Sequence, residues 1–439
     1  MEAKVLVLGL GISGESVAKR ALQNADKPTI LDSRVSPDLE AKAAYFRERG
    51  VKVELGYASD NLQELFDLAV ISPGISHESP LGQLAKNLDC PVISEIEFAA
   101  RLISSPVIAV TGTNGKTTTV ELLVHCLKSA GFTAEAAGNI GVPLTEFVDK
   151  KPDFIVAEIS SFQLEAVAEF RPMIAVCTNI SDDHLDRYDS FDSYKNTKLK
   201  VFNGLDSQYC ILQKKLEPAY ESCFAQQAVT FSVDEAADYY VDDRYIYHAD
   251  EKLLDTRTFS LQGSHNIENT MIVAAVCSKL QVSMADVQKA MESFQLPEHR
   301  QEIVAEWNQI TFVNDSKATN PDALIQAIKR FGQAENIILL AGGLDKSMDF
   351  TATIPWVQQH VKDVLLIGKN QEKLESIWCP YKRTGRLDSL EEAVNKAIDI
   401  AKSGDCVLLS PGSASQDMFT NYIERGEQFR NAVKRRLRK

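Results

Sequence analysis

Thr111-Gly112-Thr113-Asn114-Gly115-Lys116-Thr117 gathers two glycines, a lysine and three threonines on one short stretch. Glycines let backbone N–H groups close around phosphate oxygens, Lys116 adds a mobile positive charge, and the Thr117 hydroxyl suits Mg²⁺. The chemistry this points to is binding and activating a nucleoside triphosphate, with Gly112, Thr113, Asn114, Gly115, Lys116, Thr117 and Thr118 as the candidate ATP-binding residues. No guanine-reading motif accompanies the loop, so ATP is expected rather than GTP. The strict form of the motif would carry glycine where Val110 stands.

A second glycine loop, Gly9-x-Gly11-x-x-Gly14, follows the apolar run at 5–8, and Asp32 ends the next run, PTILD. That is the order of a dinucleotide-binding unit. By itself such a loop fits a nicotinamide cofactor, a nucleotide diphosphate or a plain tight turn. A separate triphosphate loop shifts the expectation from a redox cofactor to a nucleotide-bearing substrate.

Other chemistry-bearing side chains stand at the ends of apolar runs. Glu158 closes FIVAE, and His184 lies in NISDDHLDRY after MIAVCTNI. In α/β sheets the carboxyl ends of strands face the ligand crevice, so both are expected beside a metal held by Thr117. Further on, NDSKATNPDA carries Asp315, Lys317 and Thr319, AGGLDKSMDF carries Lys346, and LLSPGSASQDMF carries Ser415. Singly each would serve as a cap or turn residue. Together they suit a small anionic molecule.

The elements that must position these residues read as three α/β domains, over 1–94, 95–297 and 298–439. The first alternates VLVLG, PTILD, LAVIS and PVIS with helical patterns. The second starts at PVIAVTG, and its amphipathic helix carries Val120, Leu123, Val124 and Leu127 on one side, with Gly131 as the stop. It continues through DFIVAEIS and MIAVCTNI to YYVDDRYIYH, whose Asp-Asp-Arg centre predicts a hairpin turn. A boundary is placed near Leu296-Pro297, and TFVNDS, NIILLAG, DVLLIG and CVLLSPGS follow it. Asn320 as cap, Pro321 at the first position, Asp322 in the first turn and Lys329-Arg330 in the last predict a helix after Thr319.

The 439 residues carry a formal net charge of −14, which argues against a nucleic-acid partner. No apolar run approaches the roughly 18 residues of a membrane span, and no signal-peptide profile opens the chain. The eight cysteines are widely spaced without C-x-x-C, so reduced thiols and a cytoplasmic location are expected. The terminal KRRLRK reads as the solvated end of a last helix.

TGTNGKTTT, EISSFQLE, DDHLDRY, GSHNIEN, LPEHR and NDSKATNPDA occur here in that order, and on these motifs the chain resembles the Mur ligases over nearly its whole length. The central motifs are shared with other ATP-dependent amide ligases, including folylpolyglutamate synthase. GLGISG, the SPGI at 72–75, LLSPGSAS and DMF favour the family member that uses D-glutamate.

The resemblance implies a Rossmann-like N-terminal domain for the UDP substrate, a central P-loop ATPase domain and a Rossmann-like C-terminal domain for the amino acid. It implies an ATP-dependent ligase that adds D-glutamate to UDP-N-acetylmuramoyl-L-alanine through an acyl phosphate, in peptidoglycan precursor synthesis, and a monomer is expected. Ile12 and Ser13 would meet the diphosphate, Asp32 and Ser33 the uridine, with Ser72, Gly74, Asn139 and His184 along the substrate path. The family's Mg²⁺ sites correspond to Thr117, Glu158, His184 and a carbamylated Lys198, and its adenine and ribose contacts to Asn269, Arg300 and Asp315. Lys317, Thr319, Lys346, Ser415 and Tyr422 correspond to positions near D-glutamate, Tyr422 standing where phenylalanine is the pattern. Lys116, His184 and Lys198 are the candidate catalytic residues, His184 a candidate for taking the amine proton. Of the crowded Lys195, Lys198 and Lys200, only Lys198 is expected to matter. A related ligase with another acceptor is the competing reading; a dehydrogenase would leave the phosphate loop idle.

Overall fold

A computed structural model describes residues 2–438 except 61, 141, 184–186, 262, 296–297 and 345–347, and the side chain of Asp322. His184, Lys346 and the Leu296-Pro297 boundary therefore lie outside the described residues. The chain forms two compact units, Met1–Phe294 and Gln295–Lys439.

The first unit contains two sheets. One is fully parallel, in the order Lys52–Leu55, Lys27–Asp32, Lys4–Leu8, Leu68–Ile71, Val92–Ser94. Val5, Leu6, Val7 and Leu8 are all buried, as a parallel strand covered on both faces requires. Each such side chain contributes about 1.5–3 kcal/mol on burial. The strand order reverses at Lys4–Leu8, which opens a crevice at its carboxyl end. There Gly9 has φ +90°, and a Cβ on Gly14 would lie 1.8 Å from the Gly9 carbonyl oxygen. Only glycine lets the helix Ile12–Gln23 start so close to the strand.

The second sheet has nine strands, with the phosphate-loop strand Val107–Thr111 between Phe154–Glu158 and Ile174–Cys177. Helix Lys116–Ser129 follows the loop. Helix Ser264–Lys279 has Met271 through Cys277 all buried, the mark of a helix covered on every side. At the sheet edge, Tyr239–Asp242 and Tyr245–His248 pair antiparallel around Asp243 and Arg244. Both turn residues have positive φ, +37° and +73°, so the expected hairpin forms at the Asp-Asp-Arg centre.

Polar side chains join the two sheets. Glu95 Oε1 accepts from the Thr145 backbone N–H at 2.7 Å and its hydroxyl at 3.0 Å, and Ser16 Oγ lies 2.6 Å from Thr145 Oγ1. Burial pushes the Glu95 carboxyl up to about 7 against those hydrogen bonds.

The second unit holds a six-stranded sheet whose centre runs Ile310–Asn314, Cys406–Leu409, Ile337–Ala341, all parallel. The last strand in sequence is thus inserted between two earlier ones, and three loops emerge side by side at one sheet end. Helix Pro321–Phe331 starts as its sequence predicts, the Ala323 N–H donating to Asn320 Oδ1 at 2.8 Å. Basic residues fill the last turn of the final helix, Tyr422–Leu437, where Arg435 and Arg436 pair with Glu391 and Asp399. All eight cysteines are free thiols. Among the described residues no helix is long and apolar enough to cross a membrane.

Candidate active site

The phosphate loop is held open by the neighbouring strand end. Gly112 has φ +138°, and a Cβ there would lie 1.9 Å from Thr178 Oγ1. Gly115, at φ +83°, sits against Asn269, whose Oδ1 would be 2.7 Å from an added Cβ. Thr178 Oγ1 donates to the Asn114 carbonyl at 2.6 Å, and Asn179 meets the same residue twice, accepting from its N–H and donating to its C=O. Thr178 and Asn179 were absent from the sequence-based set because only their place in the sheet gives them a role. Lys116 opens the helix and lays its ammonium on the Gly112 and Thr113 carbonyls, at 2.8 and 2.7 Å. In that position the charge lies over the loop where phosphate oxygens would be received.

Thr117 and Glu158 meet as their sequence positions suggest: Thr117 Oγ1 donates to Glu158 Oε2 at 2.6 Å, both residues buried. Asn139 Nδ2 donates to the other carboxylate oxygen at 2.9 Å, so this asparagine orients Glu158 directly. A hydroxyl and a braced carboxylate beside a phosphate loop are hard oxygen donors, and the set fits Mg²⁺.

Of the three neighbouring lysines, Lys198 alone is buried, at 2% exposure, and its Nζ donates to the Gly112 carbonyl at 2.8 Å. Burial, reinforced by the charge of Lys116, lowers its ammonium to about 7. Lys195 instead pairs with Asp192. Lys200 is no plain surface lysine, since its Nζ donates to the Glu165 carbonyl at 3.1 Å. Tyr194 completes the pocket, its ring 4.8 Å from Lys198 Nζ and its hydroxyl 3.1 Å from Thr113 Oγ1. Nothing in the sequence distinguished that tyrosine from a core aromatic.

At the first glycine loop a cavity of about 440 Å³ is lined by Gly11, Ile12, Arg34, Val35, Ser36 and Lys42, among others. Ile12 stands 62% exposed at the mouth, Ser13 is half-buried and Ser33 exposed. Asp32 is buried beneath: its carboxylate takes the Leu10 N–H at 2.8 Å and both the Nε and Nη2 of Arg34, at 3.1 and 3.0 Å. Burial opposes its charge, but Arg34 and the backbone donors outweigh it and hold the carboxyl below its usual range. Asp32 therefore presents Arg34 to the cavity. Ser72, from the SPGI loop, donates to the Gly9 carbonyl at 3.2 Å.

In the second unit Asp315 is buried, accepting from Ser410 Oγ at 2.9 Å and the Gln301 N–H at 3.2 Å. Burial raises its carboxyl to about 7, opposed by that hydroxyl and the nearby charge of Arg300. Lys317 Nζ lies 3.4 Å from the Tyr422 hydroxyl and 5.0 Å from its ring centre, and Ser415 is buried while Thr319 is half-buried. Arg425, missed in the sequence, is only 1% exposed and binds Ser316 Oγ, the Ser316 carbonyl and the Ser413 carbonyl at 2.7–3.0 Å. It ties together the loops carrying Lys317 and Ser415. Asn269, by contrast, belongs to the first unit, where Thr119 Oγ1 donates to its Oδ1 at 3.1 Å.

A phosphate loop with a braced carboxylate, in the same unit as a nucleotide-type crevice and followed along the chain by a second α/β unit, defines a multidomain nucleotide-binding α/β protein. The family models agree: Mur ligase MurD-like, N-terminal domain matches residues 3–94, Mur ligase middle domain 110–277, and Mur ligase, glutamate ligase domain 299–412. The chain belongs to the Mur ligase family. It is 37% identical to the UDP-N-acetylmuramoylalanine--D-glutamate ligase of Caldanaerobacter subterraneus subsp. tengcongensis, over 98% of each chain. The Lactobacillus johnsonii ligase of the same name is 35% identical, over 98% of this chain and 96% of its own. The fold is shared with the crystal structure of the UDP-N-acetylmuramate-alanine ligase of Thermotoga maritima, with TM-score 0.61 and 21% identity over all of both chains.

Proposed function

We propose that the protein forms the amide bond between UDP-N-acetylmuramoyl-L-alanine and D-glutamate at the expense of ATP, releasing ADP and phosphate, as a cytoplasmic monomer in peptidoglycan precursor synthesis. The observation that carries this reading is the buried Thr117–Glu158 contact beside Lys116, at 2.6 Å, in a member of this family. The reading assigns residues 1–94 to the UDP substrate, 95–297 to ATP and 298–439 to the amino acid.

A carboxylate is a poor electrophile, and its attack on ATP brings two anions together. Lys116, half-buried over the loop, offsets that repulsion with a positive charge held in place before the phosphates arrive. Bound Mg²⁺, held by Thr117 and Glu158 with His184 and a carbamylated Lys198, would supply further charge neutralisation on the phosphates. A carbamate at Lys198 accords with its burial at the loop. The acyl phosphate forms at the alanyl carboxylate, the amine of D-glutamate attacks it, and phosphate leaves from the tetrahedral intermediate; His184 is the candidate acceptor of the amine proton. Ile12, Ser13, Asp32 with Arg34, Ser33, Ser72 and Gly74 hold the UDP end. Lys317, Thr319, Lys346, Ser415 and Tyr422 receive the two carboxylates of D-glutamate. The test is phosphate release by the purified protein with ATP and UDP-N-acetylmuramoyl-L-alanine, comparing D-glutamate, L-glutamate, L-alanine and L-lysine. Release with D-glutamate alone is expected; preference for another amino acid would transfer the protein to a different ligase.

A further inference from the structure

We propose that Arg187 is a positioning residue for the UDP-bearing substrate, a role that rests on the reading of the 72–74 loop as part of that substrate's site. Its guanidinium forms a fork on Glu165, Nε to Oε1 at 2.9 Å and Nη2 to Oε2 at 2.6 Å, and Nη1 donates to the Pro73 carbonyl at 3.1 Å. The two side chains are only 12% and 11% exposed. Pro73 lies between Ser72 and Gly74, so a side chain based on the nine-stranded sheet grips the substrate loop of the five-stranded one. His77 reaches the same carboxylate from beyond that loop, Nε2 to Oε2 at 3.1 Å.

The grip continues inward. The Arg187 guanidinium sits 4.2 Å from the Phe162 ring centre, and Phe162 stacks on Tyr188 at 6.3 Å. Tyr188 packs on Tyr194 at 5.2 Å, and Tyr194 meets Thr113 of the phosphate loop. A continuous line of packed rings therefore joins Pro73 to the loop that receives ATP. A planar fork sets direction as well as charge, and a single ammonium cannot serve two carboxylate oxygens and a carbonyl in the same plane. Arg187 thus fixes where the 72–74 backbone stands relative to the phosphate loop, and with it the approach of the alanyl carboxylate to ATP.

The test uses the full-length enzyme with Arg187→Lys, Arg187→Ala and Glu165→Gln. Arg187→Ala is expected to raise the KM for UDP-N-acetylmuramoyl-L-alanine about tenfold or more, with the KM for ATP within about twofold of wild type. Arg187→Lys, which keeps the charge and loses the fork, should recover less than half of that loss. Amide hydrogen exchange should speed up at 72–77 in all three variants and stay unchanged at 112–118, a readout independent of turnover. Equal rises in the KM for all substrates, full recovery in Arg187→Lys, or wild-type exchange at 72–77 would overturn the proposal. Asp32→Ala separates it from the reading beneath: if that variant also leaves the UDP substrate's KM unchanged, the assignment of the whole N-terminal site has failed and takes the proposal with it. If Asp32→Ala weakens the substrate and Arg187→Ala does not, the positioning role alone is wrong.

Discussion

The two glycine loops of the first unit share one local plan, a parallel strand, a left-handed glycine and a helix N-terminus, yet their surroundings differ. Gly112–Lys116 is crowded by Thr178, Asn179, Asn269 and Lys198, and its helix opens with a lysine and a hydroxyl facing a carboxylate. The loop at 9–14 opens on a cavity rimmed by Ile12, Val35, Arg34 and Lys42. Helix N-termini attract anions wherever they occur. The difference teaches that the side chains packed around each loop, more than the glycines, separate a loop that activates phosphate from one that seats a nucleotide.

The sharpest way to break the comparison is to remove the charge from one loop. Lys116→Ala is expected to lower kcat by about a thousandfold or more, while UDP-substrate binding measured by calorimetry stays near wild type. A loss of UDP-substrate affinity of the same size would mean that the loops do not divide the work as described.

Lys198 sharpens the same side. Lys198→Ala should be nearly inactive, down by about a thousandfold, with partial recovery on adding short-chain carboxylic acids that refill the cavity. Lys195→Ala, paired on the surface with Asp192, should retain wild-type rates. Full activity in Lys198→Arg, which cannot be carbamylated, would rule out the carbamate.

Between the loops lies Glu95, whose folded carboxyl is raised to about 7 from a usual 4.5 by burial. The folded protein keeps a proton there that the unfolded chain releases, so stability is greatest below the usual value and falls as pH rises toward 7. The limit is about 1.36 kcal/mol per pH unit, or about 3 kcal/mol across the window. Urea unfolding at pH 5 and pH 7 should show a smaller decline in Glu95→Gln than in wild type; identical declines would place the pH dependence elsewhere.

The smallest effect belongs to the first loop. Asp32→Ala frees Arg34 and should weaken the UDP substrate about tenfold, leaving ATP affinity alone. Fluorescence transfer should detect no NADH binding to the wild type, and micromolar binding lost in the variant would reopen the dehydrogenase reading.

Strong apolar runs such as VLVLG, FIVAE and CVLLS were legible as strands because buried parallel strands need them. Among the described strands, Lys52–Leu55, Ala134–Gly138, Glu302–Trp307 and Arg383–Arg386 are examples that were not. Their sequences KVEL, AEAAG, EIVAEW and RTGR carry charge, glycine or alanine and little continuous hydrophobicity, so neighbouring strands, not local pattern, recruit them.

By itself the sequence determined the chemistry that depends on near neighbours: the glycines that release backbone N–H groups, Lys116 and Thr117 at the helix start, and the Asn320-Pro321 cap. These follow from φ, ψ and spacing within one turn. Only the tertiary structure decided which of three neighbouring lysines is buried against Gly112, that Asn139 braces Glu158, that Asp32 accepts from the Leu10 N–H, and that Arg187 reaches Pro73. Those contacts join residues from about twenty to more than a hundred positions apart, and their geometry comes from strand order and the closure of long loops, neither of which is written in any short stretch of chain.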